Sequence, residues 1–514
     1  MKLDRRGFLS GIVGTAALPA LCGKLRVAPV LAAMEPSILA SDPRRPQYHL
    51  LPAANWMNDP NAPVYFNGTY HMFFQYNPHA AVWGDMHWDH AVSTDMVHWR
   101  HLPVALSPTP GGPDADGCFS GTAALVDGKV VILYTGVRSA PVEEATIKDG
   151  AQSLRETQML ATTDDPELKS WTKLPQPIID APPAGLQVNG FRDPSPWREG
   201  EWWYMVLGSG IANEGGAVLL YRSRDLRKWE YLHILAGRNG AQSLVPFDAW
   251  EVWECPEFFP LGDKHVLIYS TAGRSYWQSG VLDKKTMIFL PEHAGVLDYG
   301  ALYAVKTQLD KAGNRVLWGW VTETRETAEY KAAGWAGMMS LPRVLTLGSD
   351  GRLRTHVAEE VKALRGAEQK LDLNAGEEEK RRQISGMRIA GYCGEILCTA
   401  RRTQEPVQLT LQTAEGSENW LTVKYDPQQP KHILVDARPL PVAWEEKEDL
   451  EIHLYVDGSV MEVFINGQAV FTKRFYAVGS QARELRLQWT GKTAPISGLS
   501  VWQIAPISAD RLTR

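Results

Sequence analysis

A hairpin unit recurs five times between residues 46 and 348, and this repeat constrains the fold more than any other feature. Each unit starts with a short polar motif and continues as a strand, a turn and a second strand, about 45 to 75 residues after the previous unit. The five motifs are N-D-P-N at Asn58, C-F-S-G at Cys118, R-D-P-S at Arg192, E-C-P-E at Glu254 and D-Y-G-A at Asp298. Units of antiparallel strands close radially, so we predict an all-β chain with a five-bladed β-propeller at residues 46–348.

Turn signals and a second repeat support this interpretation. Tight hairpin turns are indicated at Asn67-Gly68 and Asp127-Gly128. Three units also contain an Asp followed shortly by a Trp, at Trp99, Trp171 and Trp229. We expect the Asp to cap a turn and the Trp to pack between blades, without a chemical role.

The composition changes after the fifth unit. We assign residues 349–370 to a linker and residues 371–510 to a β-sandwich domain, because alternating strands with turns at Asp457-Gly458 and Asn466-Gly467 resume there. The acidic run from Glu377 to Glu379 is expected to be a solvated loop.

The N-terminus is typical of an export signal, assigned to residues 1–40 with its leader. Paired arginines in D-R-R-G-F-L-S, from Asp4 to Ser10, precede an apolar run from Gly11 to Leu21. This pattern resembles a twin-arginine signal, so we expect a periplasmic or secreted protein. Leu21 is bulkier than the residue that usually precedes a lipidated cysteine, which argues against anchoring at Cys22. No later segment is apolar enough to cross a membrane.

Composition excludes several functional classes. The net charge of -6, with both signs interspersed, gives no basic patch for nucleic acid. There is no C-x-x-C pair, phosphate-binding loop or G-x-S-x-G elbow, so we expect neither a metal nor a cofactor. Beyond Cys22, the cysteines are Cys118, Cys255, Cys393 and Cys398. Cys393 and Cys398 are either bridged in a hairpin or two buried thiols. The oligomeric state is not predicted.

Radial closure brings the five motifs to one funnel, where we expect Asp59, Ser120, Asp193, Glu254 and Tyr299 to converge. Glycosidic hydrolysis needs an acid for the leaving oxygen and a second carboxylate. Glu254 has the most apolar sequence neighbours, which favours a protonated acid. Asp59, flanked by the amides of Asn58 and Asn61, is the expected ionised nucleophile, and Asp193 should stay ionised beside Arg192. Turn capping is the alternative role for any one Asp-Pro, but three acids in register argue against it.

Several motifs, in this order, resemble glycoside hydrolase family 32, the invertases, levanases and inulinases. They are W-M-N-D-P-N, W-G-D-M-H-W-D-H, F-S-G, F-R-D-P, W-E-C-P, L-D-Y-G, G-W-A-G-M-M-S-L-P-R and V-D-G-S-V-M-E-V-F-I-N-G. The resemblance covers nearly everything after the export signal. It implies a five-bladed propeller followed by a β-sandwich, in agreement with the repeat count.

The resemblance also implies roles for single residues. Asp59 is similar to the family's nucleophile, Glu254 to its acid/base and Asp193 to its transition-state stabiliser. The expected substrate-binding residues are Trp56, Asn58, Gln75, Trp83, Phe119, Ser120, Arg192, Tyr299 and Trp320. For Trp83 and Trp320, packing between blades is the alternative role.

Two positions depart from the family pattern. Ala62 follows N-D-P-N, where the family usually has Gly, so the turn is expected to avoid positive φ. Asp89 replaces another frequent Gly and adds a fourth carboxylate, which we expect near the funnel mouth, altering subsite contacts or raising the pKa of a neighbour.

The sequence therefore predicts a retaining β-fructofuranosidase acting on sucrose or fructans through a covalent fructosyl-enzyme. A fructosyltransferase using the same site is the alternative enzyme. A non-catalytic fructan-binding protein is the alternative from another class, although all three acids are intact. The sequence does not choose between sucrose, inulin and levan, nor between exo and endo attack.

Overall fold

The structure, a computed structural model, describes residues 34–149, 152–237, 252–413, 418–443, 448–476 and 483–513. Most of the expected export signal, residues 1–33, lies outside the described residues, and its last part enters a short α-helix at Pro36–Ser41. None of the described helices is long and apolar enough to cross a membrane. Two more α-helices occupy Thr327–Ala333 and Glu377–Gly386, and the remaining elements are almost all strands.

Five antiparallel sheets follow one another along the first two thirds of the chain. We call them blades one to five and give their strands in chain order. Blade one has Asn55–Phe66, Thr69–Asn77, His87–Ser93 and Arg100–Leu106. Blade two has Gly117–Val126, Lys129–Ser139, Ile147–Asp149, Gln152–Thr162 and Thr172–Lys173. Blade three has Val188–Glu199, Trp202–Ile211, Gly215–Ser223 and Glu230–Gly237. Blade four has Glu254–Leu261, Lys264–Thr271, Arg274–Asp283 and Ile288–Val296. Blade five has Leu302–Leu309, Arg315–Val321, Met338–Met339, Arg343–Leu347 and Leu353–Val357.

The five blades close into a ring, as predicted for a propeller. The first strand of each blade packs against the first strand of the next, and that of blade five packs against that of blade one. A short strand at Trp335–Ala336 crosses from blade five and pairs in parallel with Asn55 and Trp56 of blade one. These five first strands, which we call the inner strands, therefore surround one axis.

Every inner strand contains a β-bulge, which coincides with the polar motif in blades one to four and follows the motif in blade five. The pairing register with the second strand shifts between Met57 and Pro60, Phe119 and Gly121, Arg192 and Ser195, Glu254 and Glu257, and Tyr303 and Lys306. A bulge leaves one extra residue unpaired and turns side chains away from the regular alternation. Asp193 and Cys255 adopt positive φ, of 64° and 48°, within these bulges. The bulges thus explain why acids project from strands whose other residues are apolar.

The predicted turns at Asn67-Gly68, Asp127-Gly128 and Asn466-Gly467 are confirmed, whereas the fourth turn consists of Gly458 and Ser459, because Asp457 still pairs with Val460. Asn67 and Gly68 have φ of 48° and 79°, the left-handed pair that a two-residue hairpin requires. The Asp-Trp repeat is structural, as expected: Asp95 Oδ1 accepts hydrogen bonds from the Val97 and His98 amides. The indole N–H groups of Trp99, Trp171 and Trp229 bond to carbonyls three residues earlier, at Met96, Leu168 and Leu226.

The C-terminal domain is the predicted β-sandwich. In chain order, the strands of one sheet are Arg365–Lys370, Cys393–Ala400, Leu450–Asp457, Val460–Ile465, Ala469–Arg474 and Ile496–Ile504. Those of the other are Arg388–Ala390, Val407–Thr413, Asn419–Tyr425, His432–Val435, Arg438–Pro441 and Glu484–Thr490. One large cluster of buried aliphatic and aromatic side chains fills the space between the sheets. Cys393 and Cys398 are free buried thiols. They lie on one strand, too far apart for a disulfide.

The boundaries between the domains differ from those expected at residues 349–370. Leu353–Val357 is the last strand of blade five, and Arg365–Lys370 is already an edge strand of the sandwich. The connection is a 3-10 helix at Glu359–Leu364. The run beginning at Glu377 is not a loop but the start of the α-helix Glu377–Gly386, where acidic residues occupy the first turn favourably.

A buried ionic network joins the propeller to the sandwich. Arg343, from blade five, donates to Asp298 Oδ2 at 2.9 Å and to Glu462 Oε2 at 2.8 Å. His49 contacts Glu462 Oε1 at 3.1 Å and Asp457 Oδ2 at 2.8 Å. All five side chains are buried, so the sandwich is fixed to the propeller by charges that have no access to water.

Candidate active site

The bulge of blade one presents Asp59 to the propeller axis. Asn58 donates to Asp59 Oδ1 at 3.0 Å, and Ser120 of blade two donates to Oδ2 at 2.7 Å. Cys255 Sγ of blade four lies 3.5 Å from the same Oδ2. Asn61, by contrast, turns its amide group toward Gly121 and Gln75, and no hydrogen bond among the described residues joins it to the carboxylate. Three blades therefore fix the orientation of Asp59, which is 7% exposed.

Glu254 is held by blades three and five. Arg192 donates to Glu254 Oε1 through Nη2 at 2.9 Å and through Nε at 3.2 Å, and Tyr303 donates to Oε2 at 2.6 Å. The third donor of Arg192, Nη1, bonds to Glu156 Oε1 at 2.6 Å. The apolar setting expected for Glu254 is wrong, because both carboxyl oxygens accept hydrogen bonds from polar side chains. The preceding side chain, Trp253, stacks on Tyr269.

Asp193 is the most deeply placed of the three acids, at 2% exposed. Its Oδ2 accepts a hydrogen bond from the Cys255 amide at 2.7 Å. Burial raises the pKa of Asp193 to about 6, although Arg192 and Lys306 oppose this. The sequence expectation that Arg192 simply keeps Asp193 ionised was therefore incomplete, since the guanidinium donates to Glu156 and Glu254 instead. Asp193 is still mainly a carboxylate at pH 7.

Aromatic side chains form the wall above the acids. Trp56 contacts Trp320 edge to face at 5.8 Å between ring centroids, and Tyr330 at 5.9 Å. Trp83 contacts Phe119 edge to face at 6.0 Å. All five belong to one cluster that also contains Cys255 and Tyr303. The predicted aromatic residues are therefore brought together around the acids, with faces suited to sugar rings.

Gln75 also reaches the site, and its amide donates to the Cys118 carbonyl at 2.9 Å. Tyr299 does not reach the site as predicted. Its amide bonds to Val470, its carbonyl accepts from Arg438, and its ring packs against the sandwich core. The fifth inner strand begins only at Leu302, so Tyr303 occupies the funnel position expected for Tyr299.

Both departures from the family pattern differ from expectation. Ala62 adopts a φ of 42°, so the turn does not avoid positive φ. Asp89 does not face the acids; it is buried on the other face of blade one, with Oδ2 3.7 Å from His101 Nδ1. Burial raises the pKa of Asp89 to about 7. It does affect a neighbour, since the pKa of Tyr76 is raised to about 12 by burial and by Asp89.

The sequence reasoning missed Tyr303, Glu156 and Lys306. Tyr303 has the register position of Glu254 and Arg192, directly before the bulge of its inner strand, but no sequence motif marks this position. Glu156 and Lys306 lie in strands without a recognisable motif. Among the described residues, no group of three or more His, Cys, Asp or Glu side chains is arranged to hold a metal ion.

Comparisons with known proteins agree with this geometry. The family models described as "Glycosyl hydrolases family 32 N-terminal domain" and "Glycosyl hydrolases family 32 C terminal" match residues 49–356 and 360–503. A sucrose-6-phosphate hydrolase of Escherichia coli is 34% identical over 486 residues, covering 89% of this chain and 94% of its own. A raffinose invertase of Escherichia coli is 34% identical over 493 residues, covering 89% and 95%.

Solved structures give the same result. Fructan 1-exohydrolase IIa from Cichorium intybus matches with a TM-score of 0.75 at 27% identity, covering 90% of this chain and 98% of that one. A Bombyx mori β-fructofuranosidase variant in complex with sucrose matches with a TM-score of 0.73 at 28% identity, covering 92% and 96%.

Proposed function

The chain belongs to glycoside hydrolase family 32, and from that premise we propose that it hydrolyses terminal β-D-fructofuranosyl linkages of sucrose or fructans with retention of configuration. The observation that carries this proposal is the convergence of Asp59, Asp193 and Glu254 from three blades on one aromatic-walled funnel. Two carboxyl groups on opposite sides of a glycosidic bond are the requirement of this chemistry, and the third binds the sugar.

In the first step, Asp59 attacks the anomeric carbon of the fructosyl unit while Glu254 protonates the leaving oxygen. The hydrogen bonds from Asn58 and Ser120 fix the direction of the Asp59 carboxylate, and correct positioning of this kind supplies several kcal/mol, up to about 7–11 in the best cases. Asp193 accepts hydrogen bonds from fructosyl hydroxyls, which strengthen as positive charge develops on the ring.

In the second step, Glu254 removes a proton from water, which attacks the covalent intermediate. Arg192 and Tyr303 hold the two carboxyl oxygens of Glu254 in both steps. The same residue thus acts first as an acid and then as a base, as microscopic reversibility requires.

The test is incubation of the purified protein with sucrose, inulin and levan, followed by chromatography of the products against time. We expect free fructose from at least one of these, and release from sucrose slower by about 10²–10⁴ in the Glu254→Gln variant. Absence of fructose from all three substrates would remove the proposed activity. Accumulation of longer fructosides instead of fructose would indicate transfer.

We also propose that the protein is exported through the twin-arginine signal around Arg5 and Arg6. The support is the motif D-R-R-G-F-L-S followed by an apolar run. Fractionation of cells that produce the protein should place it outside the cytoplasm. Replacing both arginines by lysine should keep the protein in the cytoplasm. Equal export of the lysine variant would contradict the proposal.

A further inference from the structure

Past the acids, the inner strands contribute a second layer of residues around the axis. We call this layer the floor ring. It consists of the first residue after each bulge: Pro60, Gly121, Ser195, Glu257 and Lys306. Two of these positions are charged and lie on neighbouring blades. Lys306 Nζ is 3.2 Å from Glu257 Oε1, with Lys306 fully buried and Glu257 nearly so.

Neutral donors already satisfy Glu257. Its carboxylate accepts from Ser195 Oγ at 2.9 Å, from the Thr307 amide at 3.2 Å and from Thr307 Oγ1 at 2.8 Å. The guanidinium of Arg315 is a second cation near the Glu257 carboxylate. Because burying an ammonium ion is costly, holding Glu257 in place does not by itself explain why a lysine occupies position 306.

The excess negative charge of the site does explain it. Five buried carboxylates surround the axis, namely Asp59, Glu156, Asp193, Glu254 and Glu257, and the cations near them are only three, Arg192, Lys306 and Arg315, in the described part of the chain. The guanidinium of Arg192 is bonded to Glu156 and Glu254. Among the described residues, the polar contacts of Lys306 Nζ are Glu257 and the Pro256 carbonyl, at 3.5 Å. Pro256 directly follows Cys255, whose amide donates to Asp193 Oδ2 at 2.7 Å, so the ammonium lies close to Asp193.

The titration behaviour agrees with a role toward Asp193. Burial lowers the pKa of Lys306, but the charges of Glu257, Cys255 and Asp193 raise it more, so the amine stays protonated. Burial raises the pKa of Asp193, and Arg192 and Lys306 lower it, while Glu254 and Asp59 raise it further.

We propose that Lys306 is a positioning residue: its ammonium, anchored by Glu257 beneath the site, keeps Asp193 a carboxylate that accepts hydrogen bonds from the sugar. This inference rests on the proposed function, in which Asp193 binds fructosyl hydroxyls. The charged and titratable groups that face Asp193 are Asp59, Arg192, Glu254, Cys255 and Lys306. Two of these groups are cations. Arg192 donates hydrogen bonds to Glu156 and Glu254, whereas Lys306 bonds to neither of them.

The experiment is a direct titration of Asp193 by infrared difference spectroscopy, in which the Asp193→Asn spectrum identifies the Asp193 carboxyl band. Lys306→Met keeps the length of the side chain but not its charge. In this variant the midpoint of the Asp193 titration should rise by roughly one pH unit or more. The acidic limb of the pH profile of kcat should move to higher pH together with this midpoint. A merely structural lysine predicts lower stability with an unchanged midpoint, and that result would overturn the inference.

A second variant provides the same measurement if Lys306→Met does not fold. Lys306→Met/Glu257→Gln removes the unpaired carboxylate together with the ammonium, and its midpoint should rise in the same direction by a smaller amount. Glu257→Gln alone is the matched control, because it retains the lysine. Its midpoint should not rise, and a rise equal to that of Lys306→Met would also refute the inference.

Failure of this inference is distinguishable from failure of the proposed function. If the unaltered protein releases no fructose, the proposed function is wrong whatever the titration shows. If it does release fructose and the Asp193 midpoint is the same with and without Lys306, only the role of Lys306 is refuted.

Discussion

Tyr303 donates a hydrogen bond to Glu254 Oε2 at 2.6 Å, from an inner strand whose bulge contains neither an acid nor a proline. Arg192 donates to the other carboxyl oxygen. The proposed acid/base is therefore held at both oxygens by residues from two other blades. Its position depends on closure of the propeller, and not on the E-C-P motif alone.

Replacement of Glu254 by Gln should reduce turnover of sucrose by about 10²–10⁴, because general acid catalysis typically contributes that much. Gln is nearly the same size, so the fold should be retained, as checked by circular dichroism and thermal unfolding. An aryl fructoside with an acidic phenol as leaving group is the control, since its departure needs little protonation and its first step should be less affected. Near-normal sucrose turnover in the folded variant would exclude Glu254 as the acid.

Asp193→Asn should lower kcat more than it raises KM. The reason is that hydrogen bonds from sugar hydroxyls to a carboxylate strengthen as the transition state develops, and loss of such an interaction appears mainly in kcat. Initial-rate kinetics on sucrose at pH 7 measure both constants. A change confined to KM would reduce Asp193 to ordinary substrate binding.

The three acids were predictable because each belongs to a motif with a local signature. Proline or cysteine beside an acid on a strand is unusual, and three such motifs at the same place in a repeated hairpin unit indicated radial convergence. Tyr299 was mispredicted for the converse reason: the bulge of blade five, at Tyr303 and Lys306, has no proline or acid to mark it. The register of a strand is set by its pairing partner, which the local sequence does not reveal.

The chemical setting of Glu254 was also beyond the sequence. Its partners Arg192 and Tyr303 are 62 and 49 residues away and come from other blades. Of the neighbours that suggested an apolar pocket, Trp253 precedes the strand and stacks on Tyr269, whereas Cys255 lies at the site beside Asp59. The twist and closure of the sheets decide which residues meet, so electrostatic environment is harder to predict than the identity of the acids.

His49 should stabilise the protein in a pH-dependent manner. Burial lowers its pKa, but the hydrogen bonds to Asp457 and Glu462 raise it more, to about 9. Because the folded pKa exceeds the unfolded value of about 6.5, the stabilisation is complete below pH 6.5 and is lost as pH rises through 9. It is on the order of 3 kcal/mol.

The measurement is the thermal midpoint of His49→Gln and of the unaltered protein at pH 6 and pH 9.5. The difference between them should be large at pH 6 and smaller at pH 9.5. His98→Gln is a suitable control, because His98 is half exposed and pairs with Asp95 at the surface. Equal destabilisation by His49→Gln at both pH values would contradict the prediction.

Asp89 should also make the protein less stable as pH rises, but over a lower pH range. Burial raises its pKa to about 7, so the folded state favours the protonated acid. The free energy of unfolding therefore falls as pH rises from about 4 through 7, and above pH 7 the buried charge costs roughly 4 kcal/mol. Asp89→Asn keeps the shape without the charge, so it should raise the thermal midpoint clearly at pH 8 and less at pH 5. Asp127→Asn, at an exposed turn, is the control that should show little change at either pH.

The stereochemical outcome tests the role of Asp59. If Asp59 is the nucleophile, it attacks the face opposite the leaving group, and water then attacks from the other side, so configuration is retained. A retaining enzyme also needs its two carboxyl groups about 5–5.5 Å apart, a spacing we expect between Asp59 and Glu254. A small alcohol can replace water in the second step. In dilute methanol, sucrose should therefore yield methyl β-fructofuranoside, identified by NMR of the products. Formation of the α-configured methyl fructoside would show inversion and would exclude a covalent intermediate on Asp59.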